Sequence, residues 1–520
     1  MIAANSLILE LLNFQQDNFL FFVKTPKLCY FKIMKKSIVF MLIVFWAGWL
    51  LATDENLNCF TIVTGKDATA DGSVLLAHNE DDRGRLLVNI YKVPAREHRR
   101  DSVFTLKSGT VLPQTANVPG LLWLEIPESD FADTYISEYG VAVTSNACFS
   151  REDKLELLAG GIGFSLRRLV AERAHTAREG VRIAGELISQ YGYNASGRTY
   201  IIADAREGWL LHAVNGRHWV AKRVPDNEVA VIANRYTITA VDLKDRENFQ
   251  GAADIIEYAV GRGWFNPQND GEFNFARVYS NPNNFTDIKN VLRQWQGTNL
   301  LAAKTLKLED PLPFSFKPRR RIRLNDLFRV LRDHYEGSKY DSSNHYKNGS
   351  PNSGNNRTIC TEATQYSFVA QIRGWLPAEI SSLIWISLRR PDSNAFSPWY
   401  VSMGAAPDGY SRENADSALK NHFSPLPAPA LEDAGHAFYT YAKISEVVDR
   451  QYKDRIEKTQ KVWRNFEDFL FGDVKNHEKE FIFLLKGNKP VARKIIDNYI
   501  HGLEYRKWFL ATELLKEFRK

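Results

Sequence analysis

Hydrophobic and polar positions divide the chain into an apolar N-terminal segment, a strand-rich middle and a helical, charge-rich end. Ser37 to Ala52 is almost wholly apolar and follows Met34-Lys35-Lys36. A positive start, 16 apolar positions and polar residues from Thr53 predict a secretory signal peptide, because a spanning helix needs about 20 apolar residues. The other reading of the same segment is a membrane anchor. Residues 1–33 do not fit a signal and are read as a mis-called upstream start, 34–52 as the signal and 53–58 as a short propeptide. The expected location is secreted or periplasmic.

The middle alternates in the manner of strands. Cys59-Phe-Thr-Ile-Val and Ser73-Val-Leu-Leu-Ala-His78 flank a turn-rich loop and predict a hairpin. Leu121–Ile126 and Gly140–Ser145 predict two more strands. Phe164 to Tyr191 has helical periodicity, and Thr176-x-x-Glu179 predicts a capping box that opens a second helix ending at Gly192. Strands follow at Thr199–Ala203, Trp209–Val214, Trp219–Val224 and Val229–Ala233, with Asn215-Gly216 predicting a type I′ turn. Asp341 to Asn356 is a polar, glycine- and serine-rich loop expected to be mobile, and Thr358 to Val401 is strand-rich again. From about Ala430 the pattern is helical. Helices packed beside many hairpin-linked strands predict a layered α+β architecture.

Composition narrows the function classes by exclusion. The 520 residues carry 67 Lys plus Arg against 61 Asp plus Glu, a net charge of +6. So diffuse an imbalance does not point to a nucleic-acid partner. The basic run Lys317–Arg323 reads as a solvated edge. Four cysteines, Cys29, Cys59, Cys148 and Cys360, cannot form a disulfide scaffold in so long a chain, though a Cys148–Cys360 bond stays open. Neither Cys-x-x-Cys nor His-Glu-x-x-His occurs, so no metal or organic cofactor is expected.

Cys59 heads a strand just after the signal-like segment. If processing frees its α-amine, one residue supplies both a nucleophilic sulfur and a base of pKa near 8. Asp81, at the end of the partner strand, is expected to orient that amine or the thiol. Asn234 ends an apolar strand and is a candidate oxyanion donor, with Asn146 a second candidate. Arg357 is considered only as a distant guanidinium.

These residues sit in a longer likeness. Cys59-Phe-Thr-Ile-Val-Thr-Gly-Lys-Asp-Ala-Thr-Ala-Asp-Gly-Ser-Val-Leu-Leu-Ala-His-Asn-Glu-Asp81 resembles the opening of the dipeptidase A family of N-terminal-nucleophile cysteine hydrolases, to which secernins are related. The likeness continues through Glu138–Asn146, Arg173–Glu179, Asp204–Trp209, His218–Asp226, Val231–Arg235, Thr364–Arg373 and Ser397–Tyr400. It implies a four-layer αββα fold over 59–425, followed by a helical region at 426–520. It also implies that Cys59 becomes the mature N-terminus and that the chain hydrolyses dipeptides. His78 departs from the arginine that many family members carry at this position. The expected partner is a small peptide substrate, with no nucleic acid, membrane contact only through an uncleaved signal, and self-association left open. Two alternatives remain: an amidase or acylase acting on N-acyl substrates, and a non-catalytic secernin-like binding protein.

Overall fold

Phe60–Thr64 and Val74–Asp81 form the expected hairpin, and the pair becomes the centre of a six-stranded antiparallel sheet. The computed structural model describes residues 59–519 apart from 83, 85, 128, 130–131, 155–159, 354–356 and 422–434. The expected upstream segment, signal and propeptide therefore lie outside the described residues, as does Cys29. In the sheet, Val229–Ile232 pairs with the outer side of Phe60–Thr64, and Thr364–Ile372, Ser382–Leu388 and Ser397–Tyr400 extend it past Val74–Asp81. The second sheet has eight strands in the spatial order Phe249–Gly251, Trp219–Arg223, Gly208–Ala213, Arg198–Ala203, Ala142–Ala147, Thr134–Ser137, Leu121–Glu125 and Asn89–Val93.

Alternation along single strands shows how the layers stack. Leu122 and Leu124, Ile201 and Leu210 join the core shared with Val63 and Val74 of the six-stranded sheet. Their neighbours Leu121 and Trp123, Tyr200 and Ile202, Trp209 and Leu211 join a second core with Leu166, Val170, Val181 and Ile188. Both faces of the eight-stranded sheet are therefore buried, one by the other sheet and one by helices Leu166–Ala171 and Ala177–Tyr191. On the far side, helices Ile288–Leu301, Leu324–Leu331, Ala437–Arg450, Tyr452–Gly487 and Lys489–Arg519 cover the six-stranded sheet. The order helix, sheet, sheet, helix is the four-layer αββα fold.

The C-terminal helices are fastened to that sheet by buried polar contacts as well as by apolar packing. Glu467 binds Arg332 at 2.6 Å and accepts the Phe396 backbone N–H. Glu478 meets Arg373 at 2.6 Å and the Tyr400 hydroxyl at 2.8 Å. Among the described residues, no helix is long and apolar enough to cross a membrane.

Local expectations fare unevenly. Thr176 caps its helix by accepting from the Glu179 N–H, but the Glu179 carboxylate binds the His175 N–H, so the reciprocal half of the box is displaced by one residue. The Asn215-Gly216 turn is not type I′, which needs positive φ at both residues. Only Gly216 has it (φ 96), and Val214 N–H to His218 O closes a loop of Asn215, Gly216 and Arg217. The additional residue lets Gly216 exchange backbone hydrogen bonds with Tyr193. The polar loop is tethered by Ser350 to Asp449 and by Tyr346 to Glu336, so the described part is anchored at several points. Cys148 and Cys360 are separate, buried free thiols.

Candidate active site

The hairpin register decides what faces Cys59. Thr61 pairs with His78 and Phe60 with Asn79, so continuing the register sets Cys59 opposite Glu80. Side chains alternate across a strand, so Cys59, Thr61, His78 and Glu80 share the face turned to the eight-stranded sheet. Phe60 and Asn79 point the other way, to helices Ile288–Leu301 and Leu324–Leu331. The Cys59 sulfur accordingly lies 3.1 Å from Glu80 Oε1. Sequence spacing proposes that Asp81 orients the α-amine or the thiol; in the described chain the side-chain contact with the thiol is made by Glu80. Asp81 meets the sulfur through its backbone, whose hydrogen bond draws the thiol pKa down. Its carboxyl accepts from Thr364 Oγ1 at 2.7 Å, and the other oxygen is buried without a hydrogen bond.

The other expected residues converge on the same point. Asn146 Nδ2 donates to the Cys59 carbonyl at 3.0 Å, and its Oδ1 accepts from Thr61 Oγ1 at 2.6 Å. His78 bridges Thr61 (2.7 Å) and Glu80 (3.0 Å). Asn234 Nδ2 donates to Ala147 O at 2.9 Å, while its Oδ1 accepts from Arg293 Nη2 at 3.0 Å. The Asn146 amide is thus held at Cys59 directly, and Asn234 is linked to it through Arg293.

Sequence reasoning passed over Glu80 as a contact and missed Arg293, Arg167 and Arg198. Arg293 Nη1 donates to the Cys59 carbonyl at 3.3 Å, from a helix that approaches closely because Gly297 faces Phe60. A Cβ at Gly297 would meet the Phe60 ring at 2.6 Å. Arg167 and Arg198 both donate to Ser145 Oγ, at 3.0 and 2.9 Å, and their charges reach Glu80 and His78. The signal for Arg293 was its fully buried place on an otherwise packed helix, which sequence periodicity alone does not separate from a surface position.

Burial governs the protonation states. It raises the Cys59 thiol well above its usual value, helped by Glu80 and Asp81. It lifts Glu80 to about 8 and Asp81 to about 7, against the lowering effect of Arg167 on the first and Arg357 on the second. It pushes His78 down to about 3, with Arg167 and Arg198 adding to the effect. His78 and Glu80 lie at ion-pair distance, yet burial holds both neutral near pH 7.

Among the described residues, two groups of donors lie close enough to bridge a metal ion, each within 4.8 Å. In Cys59, His78 and Glu80 the donors are turned on one another by hydrogen bonds, so the group is satisfied as it stands. The second, His334, Cys360 and Asp392, lies apart from the thiol site. There Glu336 holds the His334 Nδ1 at 3.1 Å, and Tyr452 and Asn352 donate to Asp392.

A thiol at the head of an inner strand of an αββα sandwich, ringed by amides, carboxyls and guanidinium groups, places the chain among the N-terminal-nucleophile hydrolase folds. The family model for peptidase family C69 matches residues 58–465, and the chain belongs to that family of cysteine-type peptidases. It is similar to a probable dipeptidase of Latilactobacillus sakei, 26% identical over 443 residues that cover 82% of this chain and 92% of that protein. Dipeptidase A of Lactobacillus helveticus is 24% identical over 375 residues, covering 68% and 78% respectively. A mutant conjugated bile acid hydrolase of Clostridium perfringens aligns at a TM-score of 0.29 and 11% identity, over 66% of this chain and 92% of that one. A Caenorhabditis elegans N-acylethanolamine-hydrolyzing acid amidase ortholog aligns at 0.25 and 13%, over 60% and 92%. Likeness at that level adds nothing to the fold, which rests on the sheets themselves.

Proposed function

We propose that the chain is a secreted or periplasmic dipeptidase whose nucleophile is Cys59, exposed as the N-terminal residue by processing. The observation that carries this reading is the gathering of polar groups on Cys59 at the head of a strand: Glu80 and the Asp81 backbone at its sulfur, Asn146 and Arg293 at its carbonyl, and Asn234 behind Arg293. The names of the family relatives, dipeptidases, supply the substrate class. In the unprocessed chain the Cys59 nitrogen is a peptide amide and cannot act as a base. Removal of residues up to Asn58 turns that nitrogen into a free amine.

After processing, the thiolate attacks the dipeptide carbonyl. The unpartnered Asp81 oxygen is suited to hold the new α-ammonium, and amide N–H groups of Asn234 and Asn146 receive the charge that grows on the carbonyl oxygen. Proton transfer to the leaving amine gives a thioester, which water hydrolyses. The apolar stretch after Lys35 and Lys36 supports export.

The test is an assay of purified wild type and Cys59→Ala on dipeptides and on N-acyl amides. Turnover of free-amino dipeptides, lost in Cys59→Ala, supports the proposal. Turnover of N-acyl amides alone makes the chain an acylase, and no turnover of either with biological activity intact in Cys59→Ala makes it a binding protein.

A further inference from the structure

The hydrogen bonds around Cys59 have a single consistent direction. Asn146 Nδ2 faces three carbonyls, of Cys59, Ile232 and Ala233, so it is the donor and Oδ1 the acceptor. The Thr61 hydroxyl has one hydrogen, and it goes to Asn146 Oδ1. His78 Nδ1 must then carry a hydrogen and donate it to Thr61 Oγ1. In a neutral imidazole this leaves Nε2 bare, so it accepts, and Glu80 Oε2 must be the protonated oxygen. Glu80 Oε1 is left to accept the Cys59 S–H. Five hydrogen bonds run in one sense from sulfur to Glu80, His78, Thr61 and Asn146, and back to the Cys59 carbonyl.

We propose that Glu80 and His78 form a proton relay for the Cys59 thiol, a base made of side chains that works beside the α-amine freed by processing. The inference rests on the reading of Cys59 as a nucleophile. In the transfer the S–H bond breaks and its proton bonds to Glu80 Oε1. The Glu80 Oε2–H bond breaks and that proton bonds to His78 Nε2. Sulfur becomes a thiolate, the carboxyl stays neutral with its hydrogen on the other oxygen, and the imidazole becomes an imidazolium; no atom or charge enters or leaves. The thiolate then accepts from Glu80 Oε1 and from the Asp81 backbone, in the field of Arg198. The imidazolium donates to Thr61 and Glu80.

The charged neighbours set the poise of the relay. Arg167, from helix Leu166–Ala171, and Arg198, from the eight-stranded sheet, disfavour a positive His78. Asp81 ends the strand of Glu80 and Asp82 follows it, and Tyr366 faces it from the next strand. An imidazolium so disfavoured gives its proton back readily, as the leaving nitrogen requires.

Glu80→Gln is the decisive variant, because a carboxamide keeps the shape and accepts from sulfur while donating to His78, yet transfers no proton. Wild type, E80Q, H78N and the double variant, each processed to begin at Cys59, are treated with iodoacetamide from about pH 6 to 9, and modification of Cys59 is followed by peptide mass, apart from Cys148 and Cys360. Near pH 7 each single variant is expected to slow alkylation about 100-fold, the low end of general-base effects. The double variant should be no slower than E80Q, because both residues serve one path. A rate in E80Q within about twofold of wild type, losses that multiply in the double variant, or an unreactive wild-type Cys59 overturns the relay. Dipeptide turnover in the same samples reports separately on the proposed function; its absence beside an intact alkylation pattern removes that function and leaves the relay.

Discussion

Cys59 and Glu80 are cross-strand partners, and the sulfur of the first lies 3.1 Å from the carboxyl of the second. That pairing ties the thiol to a register that cannot slip by one residue without turning every side chain of the hairpin to the opposite face. Cys59→Ala should therefore fold, since the hairpin keeps its pattern. Its dipeptide turnover should fall by about 10³-fold or more, because the covalent route is gone. Loss of activity together with loss of the native circular-dichroism spectrum would show that the cysteine is structural instead.

Asn234 and Asn146 should each show a kinetic and a stability defect. Asn234→Ala removes an amide suited to the oxyanion and should lower kcat by roughly 10²–10³-fold with little change in KM. Asn146→Ala also deprives the Cys59 carbonyl and the Thr61 hydroxyl of partners, and Asn234→Ala the Ala147 carbonyl and Arg293, so each should lose about 1–3 kcal/mol of stability as well. Steady-state kinetics and urea denaturation of both variants check this.

Buried carboxyls with raised pKa values make a pH dependence of stability. Between the unfolded values near 4 and the folded values of about 7 for Asp81 and about 8 for Glu80, the native state holds more protons than the unfolded chain. Stability from these two groups is full below about pH 4 and is lost as pH rises through 7 to 8, by up to about 1.4 kcal/mol per pH unit for each group. His78 works in the opposite sense, but only between about pH 3 and 6.5, where the unfolded state alone is protonated. The unprocessed chain should therefore lose stability from about pH 4 to 8, most steeply between about 6.5 and 7, where His78 no longer offsets the carboxyls. Asp81→Asn should flatten that decline; an equally steep decline in the variant would show that the carboxyl is not the cause.

Glu467 carries a structural prediction. It binds Arg332 and the Phe396 N–H, and so fastens helix Tyr452–Gly487 to the six-stranded sheet. Glu467→Ala leaves a largely buried guanidinium and a buried N–H unpaired and should cost about 3 kcal/mol. Thermal unfolding in one transition at a lower midpoint is expected. A separate early transition with the peptidase body unaffected would make the C-terminal helices an independent unit.

Legibility of the fold followed the range of the signal. The Phe60–Thr64 and Val74–Asp81 hairpin, the Thr176 cap and the Leu121–Glu125 strand were visible because alternation and capping are local. Cys59 was visible because a cysteine after a signal-like segment has a specific chemical use. What escaped was set by distance and register. Glu80 and Asp81 are adjacent in sequence but point to opposite faces, and only the pairing with Phe60–Thr64 shows which one meets the thiol. Arg293, 234 residues from Cys59, comes to it through packing that Gly297 permits. The Asn215-Gly216 turn misled because its contact with Tyr193 overrides the local preference.

The central claim is that Cys59 works as an N-terminal residue, and intact mass with N-terminal sequencing of the active protein tests it most directly. The account predicts that the fraction able to hydrolyse dipeptides begins at Cys59. A fully active chain beginning at Thr53 would contradict it.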